Sequence, residues 1–142
     1  MYRLDDSIGY KLFQSSRLMT NRLNQYFRLK GYLITHEQWQ VLSRLFEKDG
    51  QTQQSLAVLN ERDEASLSRL VANMERSGLI ERRPHPTDKR INLVFLSDES
   101  KRLKEEYTEI AEQTIEDASF GIDPDAFAEC LRTLDQIRRN LS

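Results

Sequence analysis

At 142 residues, with 38% hydrophobic and 31% charged side chains, the chain has room for one domain with a core of its own, and a single cysteine excludes an internal disulfide framework. No run of about 18 or more apolar residues occurs, which excludes a membrane-spanning helix, and the start MYRLDDSIGY has neither the basic end nor the apolar stretch of a signal peptide. A cytoplasmic location is therefore expected. The net charge of −2 excludes a uniformly basic protein, but the charge is unevenly spread. Residues 66–104 hold nine basic against five acidic side chains, whereas 105–142 hold three against ten. That asymmetry predicts a basic face in front of an acidic body.

Residues 6–30 set Ile8, Leu12, Met19, Leu23, Tyr26 and Phe27 at helical spacing without proline, which predicts a first helix ended by Gly31. A second start follows, with Thr35 and Gln38 as a capping box and Ile34 and Trp39 as a hydrophobic staple. This helix buries Trp39, Leu42, Leu45 and Phe46 and stops near Asp49-Gly50. Thr52 caps a short third helix that buries Leu56 and Leu59, and Asn60 supplies the residue tolerant of left-handed backbone. Asp63 caps a fourth helix with Leu67, Leu70, Val71 and Met74 on one stripe, ended by Gly78. Two helices joined this closely form a helix-turn-helix.

After Gly78 the period changes. Residues 79–83 read as a strand and 91–96 as its partner. Between them Pro84 and Pro86 lack amide donors, so the segment is an exposed hairpin tip carrying Arg83, Lys89 and Arg90. Ser97 caps a long helix that buries Leu103, Tyr107, Ile110, Thr114, Ile115 and Ala118, interrupted at Gly121. Asp123-Pro124 opens the last helix, whose Phe127, Leu131, Leu134, Ile137 and Leu141 form a coiled-coil-like seam. Cys130 lies among them and is expected to be buried and inert.

The fold class is thus mainly α (α+β): a winged helix-turn-helix with N- and C-terminal dimerisation helices. Residues 1–33 form the N-terminal dimerisation helix, 34–97 the winged lobe, and 98–142 the C-terminal dimerisation helices. The outer stripes exceed what the small lobe can cover, and burying each large side chain is worth about 1.5–3 kcal/mol. A homodimer with intertwined ends is expected, an intrachain bundle being the alternative.

An α-helix fits the major groove of duplex DNA. With its stripe turned inward, the fourth helix presents Ala65, Ser66, Arg69, Asn73 and Arg76, and its start (Glu64, Ala65, Ser66, Ser68, Arg69) is best placed to reach base edges. Glu64 can accept from cytosine or merely support the helix dipole; both readings stay open. Arg83 and Lys89 suit phosphates, which carry affinity without sequence information. Asp88, repelled by phosphate, is assigned to holding Arg90 through a charge-assisted hydrogen bond.

Three features resemble the MarR (multiple antibiotic resistance regulator) family over almost the whole chain. Residues 67–80, LSRLVANMERSGLI, resemble its recognition helix and the turn into its wing, and 88–97, DKRINLVFLS, resemble its Asp-x-Arg wing motif and the Leu-Thr that follows. The helix order agrees too. Two positions depart from the pattern: Ser97 replaces the usual threonine, and Ser100 the usual glycine three residues on. The resemblance implies a dimeric DNA-binding transcriptional regulator, read here as a repressor on a pseudo-palindromic operator, with Arg90 as the minor-groove arginine of the wing. It also implies a small aromatic or phenolic effector, for which Tyr10, Phe13, Tyr26, Trp39 and Phe46 are candidate pocket residues, each equally readable as core. Redox sensing in the family uses a cysteine near the first helix, and Cys130 lies elsewhere.

Catalysis has no support, since no glycine-rich phosphate loop or nucleophile with a base partner is present, and no cofactor is called for. One cysteine and two separated histidines cannot build a thiolate-rich zinc site, and His36 with Glu37 is a weak metal pair. The competing functional class is a winged helix that binds protein instead of DNA.

Overall fold

Side-chain caps set most of the helix boundaries. The computed structural model describes residues 1–142. A single 3-10 turn at Leu4–Asp6 leads into α1 (Ile8–Leu29), whose N-cap Ser7 accepts from the amide of Tyr10. Helix α2 (His36–Glu47) carries the complete capping box between Thr35 and Gln38. After α2 come β1 (Gln51–Thr52), α3 (Gln53–Leu59) capped by Thr52, and α4 (Glu64–Arg76) capped by Asp63. Strands β2 (Ile80–Pro84) and β3 (Asn92–Leu96) form the hairpin. Helices α5 (Asp98–Arg102), α6 (Lys104–Ser119) and α7 (Pro124–Leu141) complete the chain, with Ser97 capping α5 and Asp123 capping α7.

The three strands form one antiparallel sheet in the order β1-β3-β2, with Gln51 opposite Val94 and Arg82 opposite the same residue from the other side. β1 is too short to leave a pattern in the sequence. It forms because the loop before it is fastened to β3: the Asp49 carboxylate accepts the Leu96 amide at 2.8 Å. At Gly50, with φ +71°, a Cβ would stand 2.7 Å from Cε1 of the Phe95 ring, so both the backbone and the space demand glycine.

The core is a single cluster of buried apolar side chains from α1, α2, α3, α4, the sheet and α6, including Phe27, Leu42, Leu56, Leu67, Val71, Val94 and Tyr107. Phe27 lies edge-on to Tyr107 at 6.0 Å between ring centres and at 5.8 Å from Trp39. One α1 residue is therefore the bolt between the first helix, the winged lobe and α6.

Several sequence expectations are corrected. The helix after Ser97 is two helices, broken at Leu103. Ile115, Ala118 and Leu59 are exposed; Ala118 borders an open cleft with Leu18 and Met19 of α1, and Leu59 one with Trp39 of α2. Cys130 is exposed as well; α7 fully buries none of its residues, and of the expected seam Phe127, Leu134 and Ile137 are half-buried while Leu131 and Leu141 are exposed, so nothing encloses the thiol. Asn60 has an ordinary negative φ, and the left-handed residue of the helix-turn-helix is Glu61, at φ 52°. There Asn60 caps the end of α3 with its side-chain amide, donating to the Leu56 carbonyl at 2.9 Å, and the reversal falls one residue later.

Candidate nucleic-acid interface

The start of α4 is held from two sides. The Asp63 carboxylate accepts the Ser66 amide at 2.7 Å, and the Ser66 hydroxyl accepts from Nη2 of Arg62 at 2.7 Å. Nη1 of Arg62 donates to Glu37 at 2.9 Å, and the neighbouring His36 amide donates to Asn24 of α1 at 2.8 Å. A polar chain thus runs from α1 through the start of α2 to the first turn of α4. Glu64, Ala65 and Arg69 are exposed, while Ser66 and Ser68 are half-buried. Leu67, Val71 and Met74 face the core with no exposed surface, so the polar side of α4 points outward.

The wing is organised around Asp88. Its Oδ1 accepts both the amide and Nε of Arg90 at 3.1 Å, and Oδ2 accepts from Nη2 at 3.3 Å. These bonds, the side chain's first and the amide's second, hold the Asp88 carboxyl below the usual carboxylate range. The Arg90 side chain is 91% exposed and that of Asp88 only 32%, so the acid lies beneath an outward arginine. Arg83 stacks over Phe95 at 4.3 Å from the ring centre and pairs with Glu81 at 2.9 Å. Arg82 is occupied: Glu75 takes its amide at 2.9 Å and its guanidinium at 3.1 Å. The amide bond is the main cause of a lowered Glu75 pKa, and Arg82 is set apart from the other basic residues of the hairpin.

The two parts meet. Glu64 at the start of α4, Thr52, Gln53 and Gln54 at the start of α3, and Arg90, Ile91 and Asn92 of the wing line one cleft of about 230 Å³. A sequence model of the MarR family matches residues 34–91, the stretch that supplies every residue of this cleft except Asn92. The organic hydroperoxide resistance transcriptional regulator of Bacillus subtilis (strain 168) is 31% identical over 109 residues, spanning 76% of this chain and 72% of the relative. The chain belongs to the MarR family. It is a MarR-family transcriptional regulator. Its fold matches a probable transcriptional regulator from Pseudomonas aeruginosa with a TM-score of 0.87 at 27% identity, covering 95% of this chain and 99% of that one. It also matches the repressor CouR solved on a 23-mer DNA duplex, with a TM-score of 0.85 at 20% identity over 95% and 94% of the two chains. CouR from Rhodococcus jostii RHA1, solved with p-coumaroyl-CoA, gives a TM-score of 0.81 at 22% identity over 96% and 95%.

Within this MarR-family chain, Gln53, Gln54 and Asn92 are cleft residues that sequence reasoning missed. The signal available was the Gln-Gln pair just inside the Thr52 cap, a polar start on an otherwise apolar helix. Ser100, where the family pattern has glycine, is buried and donates its hydroxyl to the Leu79 carbonyl at 2.7 Å. The departure therefore adds a tie between α5 and the start of β2.

The five aromatic candidates fall in separate places. Tyr10 and Phe13 stack on each other at 6.5 Å early in α1, roughly 20–24 Å along the helix from Tyr26 at 1.5 Å per residue. Tyr26 donates to Asp117 and lines a cleft of about 300 Å³ between α1 and α6 with Leu29, Lys30 and Ile110. Trp39 and Phe46 lie 6.2 Å apart against the core, and Trp39 borders a different cleft, near Arg138 of α7. Nε2 of His36 is 4.0 Å from Glu37, and no three His, Cys, Asp or Glu side chains gather as a metal-binding group. No helix is long and apolar enough to cross a membrane.

Proposed function

We propose that the protein binds duplex DNA as a homodimer at a pseudo-palindromic operator, acts there as a repressor, and works in the cytoplasm. The observation that carries this reading is the shared cleft, in which the polar start of α4 and the Arg90 wing lie side by side with Arg69, Lys89 and Arg90 exposed. The start of α4 (Glu64, Ala65, Ser66, Ser68, Arg69) enters the major groove, and Arg90, braced by Asp88, enters the flanking minor groove, where narrow A/T-rich tracts attract arginine. Arg83 and Lys89 take phosphates. The relative CouR, solved on a DNA duplex, supports the same use of the fold.

The homodimer is supported by the uncovered apolar faces. Ile8, Leu12, Phe13 and Met19 on α1 and Leu131 on α7 are exposed in the single chain, as in a core cut in half. Residues 1–33 and 98–142 supply this interface, and 34–97 the DNA lobe. Two copies place their α4 helices about one DNA turn apart, roughly 34–36 Å. A small aromatic effector that changes that separation shifts the DNA-competent population. The p-coumaroyl-CoA complex of CouR supports an effector, and Tyr26, in the cleft between α1 and α6, and Trp39, in the cleft near Arg138, are the candidate residues that line cavities.

The test is a titration of fluorescent DNA fragments, selected from genomic DNA by the protein itself, against wild type and Arg90→Ala. Wild type should bind with an affinity that falls steeply with salt, and the variant should be strongly weakened with its fold intact. Equal affinity for the two would remove the wing from the interface, and failure to select any fragment would favour a protein partner instead.

A further inference from the structure

The wing tip contains a histidine that the DNA-binding reading leaves without a task. His85 stands between Pro84 and Pro86, and both prolines fix φ and lack an amide. The first free amides after Pro86 therefore belong to Thr87 and Asp88, and an exposed turn must give them partners. Nδ1 of His85 receives both, at 3.2 Å from Thr87 N and 3.3 Å from Asp88 N, and lies 3.2 Å from the Thr87 hydroxyl. The same residue closes the loop through its backbone, donating its amide to the Ile91 carbonyl at 2.9 Å.

Two backbone amides that can only donate converge on one ring nitrogen and decide its chemistry. Nδ1 must offer a lone pair, so the ring is neutral and carries its proton on Nε2. An Nδ1–H tautomer, or the imidazolium, would set a donor against donors. The consequence passes along the chain: His85 fixes the backbone of Asp88, and Asp88 in turn holds the amide and guanidinium of Arg90.

We infer that His85 is the positioning residue of the wing: its neutral, Nε2-protonated imidazole gathers the Thr87 and Asp88 amides and so aims Arg90 at the minor groove. The inference rests on the proposed function for its last step, while its first steps concern the free protein. Asparagine is the conservative replacement, because its Oδ1 lies the same number of bonds from the backbone as Nδ1 and accepts amides in the same type of turn. Leucine keeps the bulk and has no acceptor.

The experiment compares wild type, His85→Asn, His85→Leu and Arg90→Ala in two measurements. Nitrogen-15 NMR of the free protein reads the ring tautomer, the Thr87 and Asp88 amides and the Arg90 Nε–H. DNA titration with the selected fragments reads affinity. A bare Nδ1 in wild type is expected, with amide and Arg90 signals displaced in His85→Leu and retained in His85→Asn. Affinity should drop roughly ten-fold in His85→Leu, the scale of one lost hydrogen bond, and stay within about two-fold in His85→Asn, with melting temperatures unchanged in both.

A protonated Nδ1, unmoved amides in His85→Leu, or displaced amides with full affinity would each overturn the inference. If Arg90→Ala itself binds normally, the proposed function is what fails. The NMR signals would then still show whether His85 places Arg90.

Discussion

Exposure determines what the contact between Asp88 and Arg90 is worth. A solvated pair contributes little to folding, so its value lies in where it holds the guanidinium. Asp88→Asn should leave the melting temperature almost unchanged and yet weaken DNA binding. Arg90→Ala should cost about 1–3 kcal/mol of binding, measured by anisotropy at fixed salt. An Asp88→Asn protein that melts early but binds normally would reverse this assignment. Tyr32 is a second residue whose partner sets its chemistry. Its hydroxyl donates to Glu106 at 2.7 Å, and that bond, with burial behind it, pushes the phenol from 10.0 up to about 12. Because the fold favours the protonated phenol, this stabilisation is complete below the ordinary value and is lost as pH rises through about 12. Tyr26 and Tyr107 are also raised, the first by its bond to Asp117 and the second by burial, so spectrophotometric titration should find several late tyrosines, of which Tyr32 alone moves back towards 10.0 in Glu106→Gln.

At the scale of elements, caps decide what was legible. Thr35, Thr52, Asp63, Ser97 and Asp123 each accept an amide within three residues, and each appears in the sequence as the local signature it is in space. The outward side of α4 was equally readable, since four apolar positions at helical spacing fix the direction of the remainder. The features that were not readable depend on distant partners. β1 exists only because β3 and Asp49 hold it, and nothing in two residues announces it. The break at Leu103 and the outward turn of Ile115 follow from what α6 packs against. Glu61 carries the left-handed turn because Asn60 is spent on capping α3. Ser100 looked like a harmless replacement for glycine, whereas its buried hydroxyl satisfies the Leu79 carbonyl. The Leu79 carbonyl also accepts the Ser97 amide at 3.2 Å, so Ser100→Ala should cost about 0.5–1.5 kcal/mol, the worth of one hydrogen bond. Urea denaturation would measure this, and a neutral result would mean that water replaces the hydroxyl.

For the molecule as a whole, the charge pattern and the uncovered helices point the same way. The excess of basic residues falls in the segment holding α4 and the wing, and the acidic excess falls in α6 and α7, so an approaching phosphate backbone meets one favourable face. If the exposed faces of α1 and α7 close against a second copy, folding and association are one equilibrium, and the melting temperature should rise with protein concentration. A melting temperature independent of concentration, with a monomer mass by light scattering, would contradict the dimer.

Gly50 connects these scales. Any side chain there meets the Phe95 ring, and the Arg83 guanidinium lies over that same ring. A methyl group at residue 50 would thus disturb the phenyl plate beneath a guanidinium that we propose takes a phosphate. A screen for impaired DNA binding should consequently return hits at a residue that touches no nucleotide, in a bend that a footprint of the complex would leave blank.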